Sequence, residues 1–100
     1  MTKLKPIHPG EILREEFMAP FALNPNKLAI ALRVAAPSIY EIVKEERGIS
    51  SEMALRLGRF FGTTPEFWVN LQAHYDLSVS RRETERKIIR DVHPIDKITA

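Results

Sequence analysis

Apolar positions along this chain recur at i, i+3 and i+4, never in the alternation of a strand, and the pattern divides into five helical runs. His8-Pro9-Gly10 opens the first run. Its proline stands near the start, and Glu11 lies in the first turn, where a carboxylate meets the positive end of the helix dipole. Ile12, Leu13 and Phe17 form its buried stripe, and Pro20 is expected to end it. Asn24-Pro25, a capping side chain followed by a proline, starts a second helix that runs to about Leu32, with Leu28, Ala29 and Leu32 on one face. A third helix, with Pro37 in its first turn and Ile39, Ile42 and Val43 as its stripe, should reach about Glu46. Gly48 breaks the chain. Ser50 or Ser51 caps a fourth helix, in which Met53, Ala54, Leu57, Phe60 and Phe61 share a face and Gly62 supplies the C-cap. Thr64-Pro65-Glu66 launches a fifth through Phe67, Trp68, Leu71 and Tyr75. Residues 1–7 read as an extended arm, 81–92 as a polar stretch able to prolong the fifth helix, and 93–100 as loose.

Leu23 to Gly48 is the stretch the rest is organised around. Leu32-Arg33-Val34 is too short for anything except a sharp change of direction between two amphipathic helices. Two such helices crossing over a small residue, here Ala29, make a helix-turn-helix, whose second helix can enter a DNA major groove. An ordinary αα corner in a helical bundle has the same pattern. Periodicity alone leaves both readings open.

Composition narrows the class more than the function. One hundred residues make one domain, and 44% hydrophobic with 28% charged residues is the balance of a globular protein. The absence of cysteine excludes disulfides and thiolate metal sites. No apolar run approaches the ~20 residues of a membrane span. MTKLKPIHPGE lacks the apolar core of a secretory signal, so a cytoplasmic protein is expected. A net charge of +2 permits nucleic-acid binding without arguing for it. Arg81, Arg82, Arg86, Lys87 and Arg90 outweigh Glu83 and Glu85 in one decade, whereas Glu41, Glu45 and Glu46 oppose Lys44 and Arg47 around the third helix.

The catalytic inventory is thin. His8, His74 and His93 are far apart, no metal-binding spacing occurs, and Ser38, Ser50 and Ser51 lack evident histidine and acid partners. No enzyme, metal or cofactor is expected, and His8 beside Pro9 is assigned to helix-start geometry. The third helix is the better candidate. Ala36, Pro37, Ser38, Tyr40, Glu41, Lys44 and Arg47 fall off its apolar stripe. Ser38 and Tyr40 suit base edges or phosphates, Lys44 and Arg47 suit phosphates, and Asn26 and Lys27 stand where a preceding helix meets the DNA backbone. A solvated helix face accounts for the same residues. Phe60, Phe61, Phe67, Trp68 and Tyr75 are more aromatic surface than one small core hides, so Phe67, Trp68, Leu71 and Tyr75 are expected at a two-fold dimer interface.

HPGEILREEF at 8–17, NKLAIAL at 26–32 and RGISSEMALRLGRFFGTTPEFWVNLQAHYDL at 47–77 resemble the HigA/VapI family of antitoxins, which are Cro/repressor-like (XRE-type) helix-turn-helix proteins. The resemblance covers roughly residues 6–80 and is ungapped through its longest motif. It implies an all-α, five-helix lambda-repressor-like domain over 8–80, with the helix-turn-helix at about 24–47; a polar C-terminal extension over 81–100, helical in its first part, follows it. It also implies a homodimeric autorepressor that binds an operator upstream of its own operon, and a RelE-like (HigB-like) toxin, a messenger-RNA endonuclease, neutralised in a type II toxin–antitoxin complex. The family's dimer contact through its C-terminal helices maps onto Phe67, Trp68, Leu71 and Tyr75. Pro25 replaces a glutamine that commonly touches phosphate, and Arg33 and Glu45 replace glycines. If Arg33 adopts φ > 0, it bears roughly 1 kcal/mol of strain. An orphan dimer that kept the fold but acts mainly as a protein-binding module is the alternative.

Overall fold

The computed structural model describes residues 5–98, which are helical with short connections and contain no strand. α1 (Pro9–Ile12) is capped by His8, whose Nδ1 accepts the Gly10 N–H at 2.8 Å. The chain then widens into a π-helical turn, Leu13–Met18, closed by Ala19 N–H on the Arg14 carbonyl. Five residues span about 140° of an α-helix, whereas the i→i+5 bond stacks them one above the other. That is how Leu13 and Met18 both reach the core. Pro20 was expected to stop the helix. It sits instead inside a 3₁₀ turn, Ala19–Phe21, where a proline in the first positions sacrifices no helical hydrogen bond.

α2 (Pro25–Leu32) begins at Asn24, whose side chain accepts from Lys27 N–H at 2.8 Å, and α3 (Ala36–Val43) follows after three residues. α3 stops three residues short of the expected Glu46, because the chain reverses at Glu45. α4 (Ser51–Phe61) is capped by Ser50 and ends at left-handed Gly62. α5 (Pro65–Asp91) is capped by Thr64 and runs unbroken through the polar stretch. A short α6 (Ile95–Ile98) stands where a loose segment was expected; residues 99–100, like 1–4 of the expected arm, lie outside the described residues.

Leu13, Leu28, Ile39, Ile42, Leu57 and Trp68 form the centre of the core, with Ala29 at the α2–α3 crossing and Ala54 on α4. α2 packs on α3 and α4, α1 on α3 and α5, and α4 on the first half of α5. Gly10 lets α1 approach the end of α3, since a Cβ there would stand 1.8 Å from the Ile42 carbonyl oxygen. Residues 80–91 of α5 are exposed all round, and this projecting half-helix accounts for a molecule 59 Å long and only 27 × 21 Å across.

Trp68 departs from its expected place. Its indole is fully buried, touching Phe17 at 4.8 Å between ring centroids, and its Nε1–H donates to Thr63 Oγ1 at 2.8 Å. Trp68 is therefore a core residue of the protomer and has no surface to offer a dimer partner. The reverse holds for Phe60, expected on the buried face of α4 but 44% exposed.

Candidate nucleic-acid interface

α2 and α3 meet through a reversal that the backbone specifies closely. Arg33 takes φ 60°, its N–H bonds the Ile30 carbonyl, and Val34 N–H bonds the Ala29 carbonyl. This is the paired bonding of a left-handed helix end, made here without glycine. α3 then starts at Ala35 in extended conformation with no side-chain cap; Pro37 brings no N–H to its first turn, and the Ser38 N–H bonds the Ala35 carbonyl at 3.1 Å. Its far end repeats the device. Glu45 takes φ 64°, its N–H bonds the Ile42 carbonyl, and Glu46 N–H bonds the Glu41 carbonyl.

Both helix ends are also held from outside. Arg14, from the π-helical turn, donates to the Val43 carbonyl at the end of α3 and lies 3.7 Å from Glu45. Arg56 of α4 donates to the Leu32 carbonyl at the end of α2, at 2.8 Å, and pairs with Glu52. Gln72 Oε1 of α5 accepts the Ile49 N–H at 2.7 Å, fixing the chain where it leaves the unit. Sequence reasoning passed over Arg14, Arg56 and Gln72. A long polar side chain beside a buried stripe, next to Leu13, Leu57 and Leu71, was the available signal.

His8 anchors the same junction. Its ring is 4% exposed and meets Tyr75 edge-on at 4.7 Å. Burial pushes its pKa below the ordinary value, against smaller opposing pulls from Glu45 and Asp76. The expected helix-start role is therefore the one it has. No group of three or more His, Cys, Asp or Glu among the described residues is arranged to hold a metal.

The expected contact residues gather on the outer side of this frame. Pro37, Tyr40, Lys44 and Arg47 are exposed, Ser38 and Glu41 half-buried at the edge of α3, and Asn26 and Lys27 exposed at the start of α2. Asn26 Nδ2 donates to Tyr40 Oη at 3.2 Å, tying the two helices together at the surface. Arg47 folds back across α3, with Nε 2.8 Å from Glu41 Oε1 and Nη1 3.3 Å from Ser38 Oγ. Asn26–Tyr40 and Ser38–Glu41–Arg47 are thus two linked clusters. Of the residues expected at a dimer interface, Phe67 is 38% exposed, and Leu71 and Tyr75 are half-buried.

Two helices locked in this reversal, with the outer face of the second left open, define a helix-turn-helix protein of the Cro/repressor class. No protein-family model matches the chain, but individual relatives do. It is 46% identical over 84 residues to virulence-associated protein I of Dichelobacter nodosus, covering 84% of this chain and 78% of that one. It is 31% identical over 91 residues to antitoxin HigA-1 of Vibrio cholerae, covering 89% and 86%. Among solved structures, Pseudomonas aeruginosa antitoxin HigA with the higBA promoter superposes with a TM-score of 0.87 at 49% identity, over 89% of this chain and 97% of that one. Antitoxin GraA in complex with its operator superposes with a TM-score of 0.86 at 45% identity, over 94% and 95%. The chain belongs to the HigA family of helix-turn-helix antitoxins.

Proposed function

We propose that this protein is a homodimeric operator-binding autorepressor and the antitoxin of a type II toxin–antitoxin pair, neutralising a RelE-like messenger-RNA endonuclease by complex formation. The observation that carries the reading is the open face of α3, held on a scaffold 49% identical to an antitoxin solved with its promoter. With α3 in the major groove, Pro37, Ser38, Tyr40 and Glu41 meet base edges while Lys44 and Arg47 meet phosphates. Asn26 and Lys27 meet the backbone from the start of α2.

The protein works in the cytoplasm by stoichiometric binding, without catalysis, metal or cofactor. A two-fold dimer places its α3 helices on half-sites about 34 Å apart. Phe67, Leu71 and Tyr75 remain the α5 contribution to that dimer, and the exposed Phe21, Phe60 and Val69 add apolar area available to it. One observation favours the alternative of a protein-binding module with weak DNA affinity: Glu41 already neutralises Arg47, a main cation of the face.

A reporter driven by the DNA preceding this protein's own reading frame tests the repressor half. Supplying the protein in trans should silence it, and undiminished output would leave only the module reading. For the antitoxin half, the product of the adjoining reading frame should arrest growth alone and fail to do so when this protein is co-expressed. Persistent arrest would refute neutralisation.

A further inference from the structure

We propose that Glu41 is a specificity-determining residue: paired with Arg47 across the outer face of α3, it withholds that guanidinium from the phosphates of unmatched DNA. The proposal rests on the operator-binding reading above and names how the face discriminates.

The pairing depends on backbone geometry. Residues six apart on a continuous helix point about 120° away from one another. Arg47 reaches Glu41 only because Glu45 takes the left-handed conformation and turns the chain back over α3. The ion pair is 2.8 Å long, and its side chains are 51% and 42% exposed, so it forms in water and can open. Ser38 Oγ, accepting from the same guanidinium at 3.3 Å, fixes the pair over the part of α3 nearest its start.

Sequence-independent binding is a grip on phosphates. For Arg47 to join that grip on arbitrary DNA, it must leave Glu41, and the carboxylate is then stranded beside the phosphate it helped to approach. A matched site removes this penalty. The major-groove amino groups of cytosine and adenine are donors that a carboxylate accepts, so Glu41 is satisfied there while Arg47 moves to phosphate. The cost of opening the pair therefore falls on wrong sequences only.

The test uses the full chain and two labelled duplexes. One carries the sequence immediately preceding this protein's reading frame; the other holds the same bases in scrambled order. Affinities are measured at two salt concentrations for the wild type, E41Q, the double variant E41Q/R47A, and E66Q, which removes a carboxylate in the first turn of α5. E41Q should bind the scrambled duplex about tenfold more tightly, lowering discrimination to match, and its log–log salt slope on that duplex should steepen by about one for each protomer bound. E41Q/R47A should lose that gain, because the gain is Arg47's phosphate contact. Unchanged discrimination in E41Q overturns the proposal. So does a loss confined to the cognate duplex, or an equal effect of E66Q. A wild type that binds neither duplex, or binds both alike, sinks the operator reading itself and this proposal with it.

Discussion

Ala22, Arg33 and Glu45 each end a helical segment in the left-handed region, with φ of 53°, 60° and 64°, where a Cβ costs about 1 kcal/mol against glycine. Arg33 shows the reason such a cost is tolerated: the reversal there turns the chain from α2 into α3 and satisfies two carbonyls of α2. Replacing Arg33 with glycine should raise stability by about 0.5–1 kcal/mol, part of the relief being offset by the looser unfolded chain. Urea midpoints measure this, and a lower midpoint would contradict it. His8 gives a pH dependence of definite sign. Its folded pKa lies below the unfolded value of about 6.5, so the unfolded state takes up the proton first. Stability is full above that unfolded value and falls as pH drops from it towards the folded one. Protonation also removes the Nδ1 lone pair that caps Gly10. His8→Asn, which keeps a capping acceptor, should flatten the histidine part of this dependence between pH 7 and 5.5, and an unchanged slope would assign it elsewhere. The left-handed conformations of Arg33 and Glu45 could be anticipated, since the family resemblance implies glycine at both places. Arg47's turn onto Glu41 could not, because helical spacing sets residues six apart on different faces and says nothing of the side chain that folds back.

Among the elements, α5 departs most from its periodicity. Trp68, Leu71 and Tyr75 share a helical stripe, and spacing alone cannot say which member lies deepest. The indole of Trp68 was settled by a partner outside the stripe, Thr63, which supplies the acceptor a buried N–H requires. Trp68→Ala should therefore cost about 3–5 kcal/mol and unfold much of the protein, rather than merely separate dimers. Circular dichroism with a thermal melt checks this; a cooperative fold with unchanged melting would return Trp68 to the surface. Phe67→Glu separates the two effects, because Phe67 is partly exposed beside the same core. It should melt near the wild-type temperature and elute as a monomer from a sizing column, and a persistent dimer would place the interface elsewhere. Helix starts were legible because Asn24-Pro25, Ser50 and Thr64-Pro65 declare themselves locally. The π-helical turn was not. Nothing in LREEFM announces the wider turn, and only the need to bury both Leu13 and Met18 explains it.

At the scale of the whole molecule, a small helical frame orients one helix, and the chain's two halves play unequal parts in that. The order of the five main helices could be read from apolar spacing and caps. The clamps that hold α2 and α3 could not, since Arg14 and Arg56 act across 24 or more residues of sequence. Family membership then gives the open face of α3 a use. We propose that DNA is gripped chiefly through Lys44 and Arg47 on this face and Lys27 at the start of α2, which in a dimer would neutralise about six phosphates and release their counterions. A titration of the duplex preceding this protein's reading frame at 50 and 200 mM salt is the most direct measurement. The expected log–log slope is near −5, hence affinity about a thousandfold weaker at the higher concentration. A slope near zero, or no binding at the lower one, would contradict it.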